Sequence, residues 1–369
     1  MLNGAVLLKM KTGSYHFHQS NDMQVNSHPS QFIPEDATRL LRLYASEAER
    51  LGELHPEQLR IIYEQNWFNL FVPEEYNGMA LDLTRGLQME EAIAWADGST
   101  GWTVTLCSGA NLFVGFLEQD IAKKIFSDRK TCFAGSGHPS GIARKTTNGF
   151  EITGNWKYAT GAPHATIFTA TCLTEEQQEF PGAFWFYKDE VTVHKDWHTI
   201  GMIATASNSF NVNKLTVPEN RHFKIEPAFA TLDGAVYRYP FLQFAETTLA
   251  VNSSGMAIRF LELAEEILEQ KKITGELLIV QLKKLNETRQ SFYDAVNQSW
   301  QELILNKHIQ SDLLNEVSTM SRALAATARR VVDEVYPYCG IIAATPSSEV
   351  NRVWRNLHTA SQHSLLLQV

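Results

Sequence analysis

Residues 149–161 read GFEITGNWKYATG, and with this stretch the character of the chain changes. The stretch is a run of β-branched and aromatic residues bounded by turn residues, which is typical of a strand. The pair Asn148-Gly149 at its start predicts a β-hairpin. Comparable runs recur over residues 130–217, so we predict a β unit in the middle of the chain.

The regions on either side of this unit have helical periodicity. Before it, apolar residues recur at helical spacing at Leu40, Leu41, Tyr44, Ala48 and Leu51. After it, steps of three and four residues join Leu313, Val317, Met320, Leu324, Ala328, Val331 and Val335. The order of helices, then strands, then helices predicts an α+β fold, because a parallel sheet would need strands and helices that alternate along the chain.

Four segments follow from these patterns. Residues 1–30 are largely polar and aperiodic, and we expect a loose arm there. Residues 31–128 are predicted to form an N-terminal helical domain, and residues 129–220 a central antiparallel, β-barrel-like domain. Residues 221–369 are predicted to form a C-terminal four-helix bundle.

Composition excludes several classes of function. The 369 residues include 32 Lys and Arg against 41 Asp and Glu, a net charge of −9, so nucleic acid is not an expected partner. No apolar run is long enough for a membrane span or a secretory signal, and no membrane association is expected. The 4 scattered cysteines indicate a reducing compartment, so we expect a cytoplasmic protein.

Two motifs that suggest ligand sites lie in a predicted secondary structure that does not suit such a site. GSGHPSG, residues 135–141, has the spacing G-x-G-x-x-x-G, contains a proline and precedes strand signals, whereas a dinucleotide fingerprint needs a helix after it. Its glycines more plausibly let a loop backbone approach something flat or bulky. His194 and His198 are four residues apart in a β region, where that spacing does not make a ligand pair, so we predict no metal site.

Four motifs together resemble the acyl-CoA dehydrogenase fold: VPEEYNG at 72–78, GNWKYATGAPHA at 154–165, SNSFNVNKLTVPENR at 207–221 and VNRVWRNLHTASQH at 350–363. With the order of helices and strands, the resemblance extends over residues 35–369. In that family a flavin, FAD or FMN, lies between the β domain and the C-terminal helices. The resemblance implies that strand loops face the flavin ring with Gly135, Ser136, Gly137, Trp156 and Thr160.

The family hosts two chemistries, so the fold alone does not settle the function. Dehydrogenases remove a proton and a hydride from an acyl thioester with a carboxylate base. In many members that base is a glutamate whose position falls here on Ser364, and no Asp or Glu follows Glu349. Monooxygenases that use reduced flavin carry an arginine-rich helix ending in a histidine. The chain is similar to their pattern at Arg352, Trp354, Arg355, His358 and His363, and departs from it at Asn356.

Helical geometry assigns roles within this last motif. At 100° per residue, one line holds Arg352, Asn356, Thr359 and His363, and the opposite side holds Val350, Trp354, Leu357 and Leu365. We therefore expect this helix to form a wall of the flavin pocket. Histidine titrates near neutrality, so we expect His363 to be the catalytic acid–base group. The resemblance implies that Thr160 lies near the reactive edge of the flavin. Arg352 or Arg355 is expected to contact the flavin phosphates of a neighbouring subunit as a cationic fork. A merely solvated helix face is the alternative.

Three further residues are candidates for the site. Trp102 and His164 are expected to contact substrate, and Ser207 occupies a position where the family often has a serine that faces the flavin. Each has a plainer interpretation. Trp102, like Trp156, can be a core residue, and His164 can be a surface-loop histidine. The sequence around Ser207 lacks the usual flanking glycines.

Taken together, the residues and the resemblance favour a two-component monooxygenase. The resemblance implies that a separate flavin reductase supplies reduced flavin, which is used with O₂ to oxygenate an aromatic or other apolar small molecule. Members of the fold are usually tetramers, so a homotetramer or homodimer is expected, formed through the C-terminal bundle. An acyl-CoA dehydrogenase with its base elsewhere is one alternative. A catalytically silent binding protein with this fold is the other.

Overall fold

A computed structural model of the chain describes residues 27–174 and 182–367. The predicted arm at 1–30 falls almost wholly on residues 1–26, outside the described residues. At its described end, Nε2 of His28 lies 2.8 Å from a carboxylate oxygen of Glu262, and the ring packs edge-on against Trp95. The start of the described chain is therefore tied to the helices that follow.

The N-terminal region is helical, as predicted. Its helices are α1 (Glu35–Leu51), α2 (Pro56–Glu64), α3 (Leu83–Ala96), α4 (Gly98–Asn111) and α5 (Gln119–Phe126). Along the predicted apolar stripe of α1, Leu41 and Ala48 are buried, whereas Leu51 at the end of the helix is exposed. Asp97 ends α3 and caps α4, because its carboxylate accepts a hydrogen bond from the backbone N–H of Thr100 at 2.9 Å. Both helices are almost entirely buried.

The central region is a single sheet with the order β5-β6-β2-β1-β3-β4-β7. Its strands are β1 (Phe133–Thr146), β2 (Gly149–Ala159), β3 (Ile167–Thr174), β4 (Ala183–Tyr187), β5 (Thr192–His194), β6 (Asn208–Pro218) and β7 (His222–Phe223). The predicted hairpin is present, since Thr146 pairs with Gly149 across a two-residue turn. The prediction of a purely antiparallel sheet is wrong, because β1 and β3 pair in parallel. The chain reverses twice between them, once in the hairpin and once over residues 160–166.

The sheet is strongly curled, as a barrel-like unit requires. Phe168 on β3 and Phe210 on β6 lie three strands apart in the sheet order, yet their ring centroids are 4.9 Å apart. Phe150 on β2 and Phe184 on β4 are also three strands apart, with centroids at 5.0 Å. In a flat sheet three strand spacings span about 14 Å. These rings meet because the sheet bends around an apolar core of its own.

The C-terminal region is again helical. Its helices are α6 (Ala235–Arg238), α7 (Phe241–Gln270), α8 (Glu276–Asn306), α9 (Ser311–Cys339), α10 (Ile341–Ala344) and α11 (Glu349–Ala360). The stripe predicted along α9 is buried except for Met320, which is partly buried against the same core. The long helices α7, α8 and α9 pack on one another, and α11 packs against α7. Within the described chain, none of the helices combines the length and the apolar character needed to cross a membrane.

Candidate active site

Two cavities meet where α4, the sheet, α7 and the end of the chain converge. The smaller, of about 250 Å³, lies between α4, α7 and strands β1 and β3. The larger, of about 790 Å³, lies between α4, residues 197–207 and the segment 354–364. Leu106, Thr160 and His363 line both cavities. These three residues therefore form the boundary between the two spaces.

The smaller cavity is apolar. Its principal walls are the rings of Phe113, Phe241 and Phe244 with the side chain of Leu249. Several threonine hydroxyls also reach it, but two of them are already engaged. Thr105 accepts a hydrogen bond from Asn252 at 2.8 Å, and Thr248 donates to the carbonyl of Ala245 at 3.0 Å.

Thr160 is held at the boundary by the loop around Gly161. Gly161 has a φ of +77°, a backbone conformation that favours glycine. A Cβ there would also lie 2.7 Å from the sulfur of Cys107 on α4, too close for an ordinary contact. The hydroxyl of Thr160 lies 2.7 Å from that of Ser207, which in turn lies 2.8 Å from that of Thr205. This row of buried hydroxyls fixes the orientation of Thr160.

His363 reaches the boundary from beyond α11, not from the helix. The helix ends at Ala360, and His363 caps the short turn Ser364–Leu366 by accepting a hydrogen bond from the backbone N–H of Leu365 at 3.3 Å. Burial lowers the pKa of the imidazole, since the charged ring would lose its hydration. Its centroid lies 6.1 Å from that of Trp102. The ring is therefore neutral at pH 7, next to an aromatic wall.

The larger cavity contains buried polar atoms without partners among the described residues. The indole Nε1 of Trp354 and the hydroxyl of Thr359 both belong to residues that line it, and neither has a hydrogen bond. His358 stacks on Trp354 at 4.2 Å, and its two nitrogens lie 2.8 Å from the carbonyl of Trp354 and from Asp333. The two unpaired donors lie just beneath the wall of this cavity, whose size and aromatic lining suit a ligand with flat rings.

Seven of the predicted site residues line one or both cavities. Trp102, Thr160, Ser207 and His363 line the larger one. Gly135, Ser136 and Gly137 line the smaller one, on the other side of the boundary from Ser207. A Cβ at Gly135 would lie 2.1 Å from the hydroxyl of Thr169, whereas one at Gly137 would meet nothing within 4 Å. Gly135 thus allows close packing of β1 on β3, and Gly137 borders open space.

Trp156 does not lie at either cavity. Its indole is fully buried in the core of the sheet, stacked on Phe210 at 5.3 Å, with Nε1 donating to the carbonyl of Thr171 at 2.9 Å. Added Cβ atoms at Gly141 and Gly154 would overlap its ring. The expectation that it faces a flavin is therefore corrected: these glycines make room for a core residue.

The two arginines of the motif are also engaged elsewhere. Arg355 forms an ion pair with Glu49 on α1, and its Nε donates to Asn351 at 2.7 Å. Arg352 is buried, and its charge acts on the carboxylate of Asp97 at the start of α4. Neither lines a cavity. Arg352 and Asn356 of the predicted polar line are buried. There α11 packs tightly on the loop at Gly201, where a Cβ would lie 2.1 Å from a backbone oxygen of the helix.

His164 lies apart from both cavities. Burial lowers the pKa of its ring to about 4, and its Nε2 has no hydrogen-bond partner. Trp354 was missed as a lining residue because the helical projection placed it on the buried side of α11. The helix ends at Ala360. A projection that stopped there would have excluded His363 from the polar line.

Two models of one protein family match the chain, and together they cover more than half of it. The N-terminal domain of acyl-CoA dehydrogenase matches residues 35–121, and the C-terminal domain of acyl-CoA dehydrogenase matches residues 245–368. The chain belongs to the acyl-CoA dehydrogenase superfamily. The resemblance predicted from the four motifs is confirmed.

Within the superfamily, similar proteins are named as flavin-dependent monooxygenases. Indole-3-acetate monooxygenase of Pseudomonas putida is 24% identical over 313 residues, covering 81% of this chain and 80% of the relative. The oxygenase subunit HsaA of Mycobacterium tuberculosis is 22% identical over 349 residues, covering 88% of each. Its crystal structure has a TM-score of 0.84 at 20% identity, covering 90% and 92% of the two chains. XiaF from Streptomyces, solved with FADH2 and glycerol, has a TM-score of 0.79 at 20% identity, covering 90% and 89%.

The acidic residues of the described chain lie away from both cavities. No carboxylate side chain from the described residues lines either cavity. Glu349, the last acidic residue, is bound to Arg259 at 2.9 Å. No group of three or more His, Cys, Asp or Glu that could hold a metal ion is found within residues 27–174 and 182–367. The titratable side chain at the boundary of the two cavities is His363.

Proposed function

We propose that the protein is the oxygenase component of a two-component monooxygenase, which uses reduced flavin and O₂ to oxygenate an aromatic small molecule. The observation that carries the proposal is the pair of cavities that meet at Thr160 and His363. One has the size and the aromatic lining for a flavin, and the other has apolar walls for a substrate. The names of its relatives agree with this activity.

The residues of the larger cavity fit a flavin, either FAD or FMN. Trp354 and Thr359 would donate hydrogen bonds to its polar edge, and Trp102 would cover its ring. Thr160, oriented by Ser207, would face its reactive edge. When bound, reduced flavin supplies the two electrons with which one atom of O₂ enters the substrate and the other becomes water.

The side chains of this chain have three tasks in that reaction. The apolar walls of the smaller cavity exclude water and hold the substrate against the boundary. The hydroxyl row of Thr160 and Ser207 positions a hydrogen bond there. The neutral imidazole of His363 holds a proton at the reacting centre, where it can donate to an oxygen atom or exchange with a substrate hydroxyl.

The proposal extends to partners and location. A separate flavin reductase would supply the reduced flavin. We place the protein in the cytoplasm, because all 4 cysteines are buried free thiols. We also propose a homotetramer or homodimer formed through the C-terminal bundle. Apolar side chains are exposed there at Ile279, Ile304, Leu305 and Ile341, and light scattering at micromolar concentration would test this self-association.

An anaerobic titration tests the proposed function. The purified protein is titrated with oxidised and with dithionite-reduced FMN and FAD, and then with acyl-CoA thioesters. The proposal expects tighter binding of reduced flavin than of oxidised flavin. Tight binding of oxidised FAD that is bleached by an acyl-CoA would support a dehydrogenase instead. Binding of neither redox state would support a silent protein.

A further inference from the structure

The smaller cavity also limits the charge of the substrate. Its lining combines apolar side chains, glycines and hydroxyl side chains with one histidine, His363. No Lys, Arg, Asp or Glu is among these residues. The single titratable side chain is His363, and burial keeps its ring neutral at pH 7.

An anion in this cavity would meet no counter-charge from the described residues. Burial of an unpaired carboxylate is costly, because the site does not replace the water that is removed. The threonine hydroxyls are neutral, so they replace only part of the hydration that a buried carboxylate loses. That of Thr248 already donates to the carbonyl of Ala245, and that of Thr105 accepts from Asn252. A neutral ring loses only apolar hydration on entry, which favours binding.

The volume and shape of the cavity set the size of the ligand. An apolar protein cavity of about 150 Å³ accepts one benzene ring. The smaller cavity has about 250 Å³, so one ring or two fused rings fit. Phe241 and Phe244 lie with their planes 19° apart at 6.1 Å, and the ring of Phe113 is 5.5 Å from that of Phe241. Flat aromatic surfaces of this kind suit a flat aromatic ligand.

We infer that the substrate is an uncharged aromatic molecule of one or two fused rings, and that the smaller cavity rejects aromatic carboxylates of the same size. This inference rests on the proposed function, because it takes the smaller cavity to be the substrate site. The relative from Pseudomonas putida is named for indole-3-acetate, an aromatic acid. The present chain would differ from it in the charge of the molecule that it accepts.

A matched pair of probes separates charge from size. 2-Naphthoate and 2-naphthamide have nearly the same shape, but only the acid is charged at pH 7.5. Binding to the full-length protein is measured by isothermal titration calorimetry, with 2-naphthol as a second neutral probe. We expect the amide to bind at least about 10²-fold more tightly than the acid. Equal affinities, or no detectable binding of either neutral probe, would overturn the inference.

One variant tests whether the probes bind in the smaller cavity, and another adds a positive charge to its lining. Ala110→Phe fills the cavity from α4 and should abolish binding of both neutral probes, with folding checked by circular dichroism. Leu365 lies at the partly exposed end of the lining, where a longer polar side chain can be accommodated. Leu365→Lys should tighten 2-naphthoate about tenfold, whereas the uncharged control Leu365→Gln should not. Unchanged amide binding in a folded Ala110→Phe variant would contradict the inference.

The inference and the proposed function fail in different ways. A protein that binds reduced flavin but treats the acid and the amide alike keeps the function and loses the inference. If the protein prefers the amide but binds no flavin in either redox state, the smaller cavity is still a site for uncharged aromatic molecules. The proposed oxygenase function is then wrong, and the bound molecule can no longer be called its substrate.

Discussion

Nδ1 of His363 accepts a hydrogen bond from the backbone N–H of Leu365, two residues further along the chain, at 3.3 Å. The neutral ring must then carry its proton on Nε2. Among the described residues, nothing accepts a hydrogen bond from Nε2. His363 therefore presents a donor at the boundary of the two cavities. A structural feature of the chain end, the cap of a short turn, sets the tautomer of the group on which the proposed chemistry depends.

Replacement of His363 tests whether a donor is needed there. His363→Ala should lower the turnover number by about 10²–10⁴-fold, because the proton at the reacting centre is lost. Affinity for reduced flavin should change little. His363→Gln keeps a hydrogen-bond donor and should retain more activity than His363→Ala, as measured by steady-state kinetics. If the two variants are equally impaired, a simple donor role is wrong.

The pH dependence of turnover follows from the burial of the same ring. Burial lowers the pKa of His363 below the ordinary histidine value of about 6.5. The neutral ring is therefore kept to a lower pH than an exposed histidine would allow. Turnover should fall only as the pH drops through this depressed pKa, and the fall should be absent in His363→Gln. Native stability should fall in the same acidic range, because protonation of this histidine favours the unfolded chain.

Trp354 provides a test of the flavin cavity that does not depend on activity. Trp354→Phe removes the unpaired Nε1 but keeps an aromatic ring against His358, so affinity for reduced flavin should fall about tenfold. Trp156→Phe is the matched control, because its Nε1 is already bonded to Thr171 within the sheet. Fluorescence titration should show no change in the control. A larger effect in Trp156→Phe would restore the original expectation that this indole contacts the flavin.

Arg355 should matter for stability more than for flavin binding. Its guanidinium joins α11 to Glu49 on α1 and to the carbonyl of Ile200 at 2.6 Å. Arg355→Ala should lower the free energy of unfolding by about 2 kcal/mol in urea titrations, because charge-assisted hydrogen bonds are lost. The dissociation constant of reduced flavin should be unaffected in the folded variant. A selective loss of flavin affinity would instead favour the cationic fork predicted from the sequence.

Two neighbouring glutamates on α3 should respond oppositely to amidation. Glu90 is fully buried, and burial raises its pKa well above the usual range, with one carboxyl oxygen unpaired. Since the native state holds this proton more tightly than the unfolded chain, stability falls as the pH rises above about 4.3, by up to about 1.4 kcal/mol per pH unit. Glu90→Gln should therefore stabilise the protein at pH 8 and lose the gain near pH 4.

Glu91 is the control for this pair. Its carboxylate is fully buried in an ion pair with Arg289 at 2.7 Å and also receives hydrogen bonds from Ser254 and Tyr293. Glu91→Gln should lower the free energy of unfolding by about 3–5 kcal/mol, because it leaves a buried charge uncompensated. Thermal and urea unfolding at both pH values would measure the two variants. A stabilised Glu91→Gln would contradict the role of this ion pair.

The fold was accessible from the sequence because it depends on periodicity, which is local. The apolar spacing along α9 and the Asn148-Gly149 turn both predicted the observed elements. The parallel pairing of β1 with β3 was missed, because it depends on how the chain returns over residues 160–166. No local pattern encodes which neighbour a strand chooses after such a reversal.

The candidate site was only partly accessible, for a similar reason. Gly135, Thr160 and His363 do lie around one cavity, although they are far apart in the sequence. The division of the predicted site residues between two adjoining cavities depends on tertiary packing, which the sequence does not show. The polar line was misjudged at Arg352 and Asn356, because a helical projection shows the face of a residue but not what covers it. Asn356 is covered by the loop at Met202. Its side-chain oxygen accepts a hydrogen bond from the backbone N–H of Met202 at 2.7 Å.

The central claim is that a reduced flavin and an uncharged aromatic molecule occupy adjoining cavities with His363 between them. An anaerobic crystal structure of the protein with dithionite-reduced flavin and 2-naphthol tests it most directly. We predict a flavin ring in the larger cavity beside Trp102 and Trp354, with 2-naphthol in the smaller cavity near Nε2 of His363. A flavin bound elsewhere, or a carboxylate in contact with the aromatic ligand in place of His363, would contradict the account.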